Sequence, residues 1–195
     1  MRGLRLRVKM PRVMAVGLVV MIGFTGTSWA GSKRANSSGV EIMSIEGSYN
    51  FRRVTNRITT SGVVGDKRLA GLQAQGYGTL INLLPNQSEH AVTEESEIVT
   101  GQGLHYVYIP VDFDAPTRAD FDAFSLAMDV ATDAADDKVV HVHCAANYRV
   151  SAFYSLYAMR KGLWTQAQAD EFISGLWNPD EYSAWSAFIA EQRRR

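Results

Sequence analysis

Short strand-like segments alternate with longer segments of helical pattern, and this alternation restricts the fold more than any other feature of the sequence. The strand-like segments, rich in β-branched and aromatic residues, are 56–62, 79–84, 104–111 and 138–143. The predicted helices are 65–75, 88–103, 117–134, 149–161, 165–177 and 178–195. Such alternation predicts an α/β domain in which helices flank a mostly parallel central sheet, with a helical C-terminal part.

The first thirty residues have the pattern of a secretory signal peptide. Residues 1–12 contain basic residues and no acid, 13–24 is an uncharged apolar run, and 28–30 (Ser-Trp-Ala) resembles a cleavage site. A retained membrane anchor is the alternative, but the apolar run is shorter than the roughly 20 residues that a spanning helix needs. We therefore expect cleavage after Ala30 and a periplasmic or secreted bacterial protein.

The predicted organisation is a signal peptide (1–30), a flexible lead-in (31–45) and one α/β domain (46–195). All 20 acidic residues but only 15 of the 20 basic residues follow residue 30, so the mature chain has a net charge of −5. An acidic domain of this kind is a poor candidate for binding nucleic acid or an anionic membrane. The sequence does not indicate the oligomeric state.

The single cysteine of the chain, Cys144, lies where a predicted strand passes into a predicted helix, five positions before Arg149. Ligands of parallel sheets bind beyond the carboxyl ends of the strands, and a helix N-terminus attracts anions through its free N–H groups. The same field favours the thiolate of Cys144, and the planar guanidinium of Arg149 suits phosphate oxygens. The pattern indicates attack on a tetrahedral oxyanion through a covalent cysteine intermediate. The alternative is a buried structural thiol beside a surface arginine.

The segment VHVHC (140–144), followed by a short loop and Arg149 and preceded by YIPVDFDAP (108–116), resembles a known family. These motifs are similar to those of the cysteine-dependent phosphatases of the tyrosine/dual-specificity superfamily, and most similar to their small bacterial members. The likeness runs from about Asn50 to the end of the chain and implies the fold of that superfamily.

The resemblance implies a role for each matching residue. Cys144 is the nucleophile, Arg149 binds phosphate, and His143 orients the loop that follows it. The general acid is an aspartate of residues 112–116, here called the aspartate loop. Both Asp112 and Asp114 qualify, since side chains two positions apart in an extended segment point the same way. Asp112 is favoured slightly because it is nearer the strand end.

The loop from Cys144 to Arg149, here called the cysteine loop, departs from the superfamily pattern. Four residues rather than five separate the two. Asn147 replaces an expected glycine, and Asn tolerates a positive φ better than most residues. Val150 occupies the position of an expected hydroxyl, and Ser151 comes next. The predicted phosphate-binding residues are Ala145, Ala146, Asn147, Tyr148, Arg149 and Ser151.

Two alternatives to a phosphatase are considered. A rhodanese-type sulfurtransferase also uses a six-residue loop that begins with cysteine, but it needs no aspartate loop. A non-catalytic phosphate or phosphoprotein binder is suggested by Asn147 and Val150. For a phosphatase, the substrate is a phosphorylated protein or a small phosphoester. No spacing of His and Cys residues suggests a metal, and no cofactor is expected.

The signal-peptide interpretation predicts a mature chain that begins at Gly31. Mass spectrometry of the protein isolated from its native cell envelope checks this directly. A soluble cytosolic species that retains Met1 would contradict it.

Overall fold

The computed structural model describes residues 42–134 and 137–194. The predicted signal peptide and residues 31–41 of the predicted lead-in lie outside the described residues. Ile45, the last residue of that lead-in, is buried. Across the described residues, no helix has both the length and the apolar character needed to cross a membrane.

Five strands form one sheet: β1 (Arg52–Arg53), β2 (Ile58–Ser61), β3 (Tyr77–Asn82), β4 (His105–Tyr108) and β5 (Val139–His143). Their order across the sheet is β1-β2-β5-β3-β4, and every pairing except that of β1 with β2 is parallel. The predicted mostly parallel sheet is therefore confirmed. Because β5 lies between β2 and β3, its carboxyl end is in the middle of the edge where ligands bind.

Within residues 42–134 and 137–194, six α-helices accompany the sheet: α1 (Asp66–Leu69), α2 (Glu95–Thr100), α3 (Arg118–Asp133), α4 (Tyr148–Arg160), α5 (Gln166–Ser174) and α6 (Ser183–Arg193). Short 3₁₀ turns occur at Ile45–Gly47, Gln73–Gln75 and Pro179–Glu181. The predicted capping box at the start of α3 is present, since Thr117 and Asp120 each accept a hydrogen bond from the other's amide.

The side chains of each strand alternate between two hydrophobic cores. Along β3, Leu80 belongs to a smaller core with α1 and α2, whereas Ile81 belongs to a larger core with α3, α4 and α6. Helix α4 is buried over most of its length. The helix that follows the cysteine loop is therefore held firmly by its surroundings.

Three predicted helices are shorter or broken. The segment 65–75 contains one turn of α-helix and a 3₁₀ turn, and residues 88–94 form turns rather than the start of α2. Helix α6 begins after a separate 3₁₀ turn that Asn178 caps. In each case tertiary packing or local capping outweighs helical propensity, which contributes only tenths of a kcal/mol per residue.

Candidate active site

The cysteine loop leaves the end of β5 and enters α4 at Tyr148, so Arg149 is the second residue of the helix. Cys144 is fully buried and unpaired. Asn147 has φ 69°, the left-handed conformation that its position in place of glycine predicts. The structure thus brings Cys144, the loop and Arg149 together at the helix N-terminus.

The carbonyl groups of the cysteine loop face its neighbours on the β2 side. Ala145 O accepts a hydrogen bond from Val63 N at 3.0 Å, and Ala146 O accepts one from Asn50 Nδ2 at 3.0 Å. The amides of Ala145, Ala146, Tyr148 and Arg149 donate to no acceptor in the described part of the chain. With the carbonyls engaged outside, these N–H groups are available to an anion.

Asn147 reinforces the loop in a way that glycine would not. Its fully buried side-chain amide donates to Asn50 O at 2.8 Å and to Thr60 Oγ1 at 3.0 Å. These bonds tie the loop to the segment before β1 and to β2. The side-chain amide of Asn147 is therefore committed to holding the loop, and its carbonyl accepts a hydrogen bond from Ser151 N at 2.9 Å.

Arg149 joins the cysteine loop to the aspartate loop. Its Nε donates to Val111 O at 2.9 Å, and its guanidinium lies 5.0 Å from the centre of the Phe113 ring. Phe113 O in turn accepts a hydrogen bond from Trp185 Nε1 at 2.8 Å. The terminal amino groups of Arg149 make no hydrogen bond within the described residues, so they remain available to an anion.

The two candidate acids differ in their contacts. Both Asp112 and Asp114 are exposed. Asp112 Oδ1 accepts a hydrogen bond from the amide of Asp114 at 2.9 Å, which shapes the turn of the aspartate loop. The carboxylate of Asp114 accepts no hydrogen bond from the described chain. The structure therefore gives Asp112 a role in loop shape and leaves Asp114 uncommitted.

His143 has a buried acidic partner that the sequence analysis missed. Its Nε2 lies 2.6 Å from Oε1 of Glu95, and both side chains are almost completely buried. Burial and then the charge of Glu95 raise the pKa of Tyr106 to about 12, and Tyr106 Oη accepts a hydrogen bond from Asn82. Nothing in the sequence distinguishes Glu95 from the other acids of its charged segment. The pair fixes the His143 ring beneath the cysteine loop.

Ser151 is placed differently from the expectation of a phosphate contact. It is fully buried, and its hydroxyl donates to Tyr148 O and accepts from Trp177 Nε1, each at 3.0 Å. Tyr148 stacks on Trp177 with nearly parallel rings 4.9 Å apart. Ser151 thus fastens the start of α4 to the C-terminal part, and its role in phosphate binding remains a prediction.

His141 occupies a fully buried network between β2 and β5. Its Nδ1 lies 2.8 Å from Thr59 Oγ1 and its Nε2 lies 3.0 Å from Ser61 Oγ. Ser61 donates its one proton to Gly62 O, so Nε2 must carry the proton and donate to Ser61. Burial, and then the nearby His143, lower the pKa of His141 well below its usual value, which keeps this ring neutral.

The neutral state of His141 predicts that stability falls at mildly acidic pH. Because the folded pKa is depressed, the unfolded chain binds the proton more readily, and stability is lost below the unfolded pKa of about 6.5. The expected slope is up to about 1.4 kcal/mol per pH unit between pH 6.5 and 5, measured by urea unfolding. His141→Asn should remove this part of the slope, whereas His105→Asn, at an exposed histidine, should retain it. Equal slopes in the two variants would contradict the assignment.

Replacing Gly62, the residue after β2, tests how closely the position of the cysteine loop depends on β2. A Cβ at Gly62 would lie 2.5 Å from Ala145 O, so Gly62→Ala must displace the loop. We expect at least a tenfold loss of inorganic phosphate affinity, measured by calorimetry on protein shown to be folded by circular dichroism. Gly175→Ala is the control, because its φ is −69° and its nearest contact is 3.2 Å. Unchanged affinity in Gly62→Ala would show that the loop does not form the anion site.

No protein-family model matches the chain. Among curated proteins, the Beta-lactamase hydrolase-like protein of Agrobacterium fabrum (strain C58 / ATCC 33970) is 28% identical over 123 residues, or 62% of this chain. The chain spans only 27% of the length of that relative. TpbA of P. aeruginosa has a similar fold, with a TM-score of 0.59 and 17% identity over 79% of this chain and 91% of TpbA.

A crystal structure from Shewanella putrefaciens CN-32, described as a phosphatase of the DUF442 group, is similar in both sequence and fold. Its identity to this chain is 34% and its TM-score 0.67, over 77% of this chain and 95% of that one. The comparisons support a phosphatase and favour neither the sulfurtransferase nor the non-catalytic binder. The chain belongs to the DUF442 family, within the cysteine-based phosphatases of the tyrosine/dual-specificity fold.

Proposed function

We propose that the protein hydrolyses phosphomonoesters through a phosphocysteine intermediate on Cys144. The observation that carries this proposal is the cysteine loop itself. The carbonyls of Ala145 and Ala146 are held outward, while the amides of Ala145, Ala146, Tyr148 and Arg149 and the terminal amino groups of Arg149 have no partner among the described residues. Donors arranged in advance around a transferring phosphoryl group supply most of the catalysis in such reactions.

The reaction has two steps. The thiolate of Cys144 attacks phosphorus in line, the bond from phosphorus to the ester oxygen breaks, and an aspartic acid donates its proton to that oxygen. A water molecule then attacks the phosphocysteine, the P–S bond breaks, and the same carboxylate takes the proton of the water. Arg149 and the loop amides hold the phosphoryl oxygens in both steps. We assign the acid to Asp114, since the carboxylate of Asp112 is committed to the turn.

An aromatic leaving group suits the surroundings of the cysteine loop. Tyr49 is 57% exposed, and Tyr148 and Phe113 are partly exposed beside the loop. A Cβ at Gly62 would lie 3.0 Å from the Tyr49 ring and 2.5 Å from Ala145 O, so this ring lies beside the cysteine loop. TpbA, which shares the fold, has a crystal structure in complex with phosphotyrosine. We therefore propose that the substrates are aryl phosphoesters, carried by a protein or by a small molecule. We also propose that the protein acts outside the cytoplasm.

Hydrolysis of p-nitrophenyl phosphate tests the nucleophile and the arginine. Cys144→Ser should abolish turnover, and Arg149→Lys should lower kcat/KM by about 10²–10³, because a point charge cannot replace the planar donors. Arg160→Lys, at the exposed end of the same helix, is the matched control and should retain full activity. A wild type that binds phosphate but hydrolyses no phosphoester would contradict the proposal and favour the binder.

The same assay with a poor leaving group, such as phenyl phosphate, separates the two aspartates. Asp114→Asn should lower kcat by about 10²–10⁴ with phenyl phosphate and by less with p-nitrophenyl phosphate, which needs little proton donation. Asp112→Asn is the control, since an amide oxygen still accepts the hydrogen bond from the Asp114 amide. The opposite result would assign the acid to Asp112, and no selectivity in either variant would reject both.

A further inference from the structure

A cavity of about 360 Å³ lies on the β2 side of the cysteine loop. Its walls come from the segment before β1 and from the connection between β2 and α1, with His90 from the segment after β3. Strands β2 and β3 flank β5 in the sheet. These segments therefore lie at the carboxyl edge of the sheet, which also carries the cysteine loop. The phosphatase mechanism proposed above makes no use of this cavity.

The cavity shares a wall with the cysteine loop. Val63, which lines the cavity, donates its amide to Ala145 O at 3.0 Å. The carbonyl of Tyr49, another lining residue, accepts a hydrogen bond from the Gly62 amide at 2.7 Å, and the Tyr49 ring lies beside Gly62. The cavity and the cysteine loop are therefore direct neighbours on the β2 side.

Arg68 and His90 line the cavity, and no acid among the described residues does so. Arg68 is held in place because its Nε donates to Ser44 O at 3.1 Å, and its Nη2 lies where a side chain at Gly47 would clash. The terminal amino groups of Arg68 make no hydrogen bond among the described residues. One nearby acid, Glu89, contacts the exposed His90 at 3.6 Å.

A buried hydroxyl gives independent evidence that the cavity takes a polar ligand. Ser48 lines the cavity and is 7% exposed, and its Oγ has no hydrogen-bond partner within the described chain. Buried hydroxyls are nearly always paired, so this one indicates a polar partner that the described residues do not supply. A fixed guanidinium, an imidazole and an unpaired hydroxyl together match an anion.

We infer that this cavity is a second anion subsite, which binds an acidic group carried on the leaving-group side of the phosphoester. The inference rests on the proposed phosphatase function and narrows its substrate class to phosphomonoesters with a second negative group. That chemistry has two sources: a phosphotyrosine peptide with adjacent acidic residues, or a small molecule with two phosphates.

Paired substrates test the subsite by activity. We expect kcat/KM to be at least tenfold higher for 1,4-phenylene bisphosphate than for phenyl phosphate, or for an acidic phosphotyrosine peptide than for its neutral counterpart. The substrate pair that shows the larger ratio of kcat/KM identifies the source of the second negative group. Arg68→Gln should bring that ratio close to one, and His90→Asn should reduce it. Arg53→Gln, at a basic residue that pairs with Glu46 and does not line the cavity, should leave the ratio unchanged.

Equilibrium binding separates failure of the subsite from failure of catalysis. In the Cys144→Ser background, calorimetry should show the preferred doubly anionic ligand binding at least tenfold more tightly than its singly anionic partner. Arg68→Gln should remove this margin while circular dichroism shows a folded protein. If the doubly anionic ligand binds more tightly but the wild type has no activity, the subsite proposal is supported and the phosphatase proposal is wrong. Equal binding of the paired ligands would overturn the subsite, whatever the activity.

Discussion

Strand β5 is hydrogen-bonded on both sides, to β2 and to β3, and the cysteine loop takes its position from that pairing. The pairing continues into the loop, where Cys144 N donates to Ser61 O and Val63 N donates to Ala145 O. Backbone hydrogen bonds position the cysteine loop on the β2 side, and the buried helix α4 positions the end of the loop that enters it. Such preorganisation is what electrostatic stabilisation of a phosphoryl group requires.

The same strand has one apolar and one polar face. Val140 and Val142 join the larger core, whereas His141 and His143 lie on the opposite face. There hydroxyls pair with both ring nitrogens of His141, and Glu95 pairs with Nε2 of His143, whose Nδ1 has no partner among the described residues. Burying polar groups in this way stabilises a fold only when nearly all of them are paired. Their contribution is geometric, because they lock β2 and α2 against the strand that carries Cys144.

The sequence predicts the parallel sheet, the strand-to-helix turn and the placement of Cys144 and Arg149 at the two ends of one loop, because all of these depend on local pattern. It does not predict β1, since two residues are too short to carry a strand pattern. Glu95 is missed because its partner is 48 positions away and its own neighbours are equally acidic. The hydrogen bond from Ser151 to Tyr148 O is not predicted either, because counting positions from Cys144 does not show which way the helix turns the hydroxyl.

The shortened loop changes what Arg149 can do. With four residues between them, Cys144 is followed so soon by α4 that Arg149 falls in the first helical turn, where its side chain reaches Val111 O and the Phe113 ring. One edge of the guanidinium therefore holds the aspartate loop while its terminal amino groups remain for the anion. In the proposed mechanism, phosphate binding at Arg149 and the position of Asp114 are therefore coupled through a single side chain. A loop that is short by one residue can thus retain both functions, provided that the arginine is not replaced by a lysine, which has one donor group to share between them.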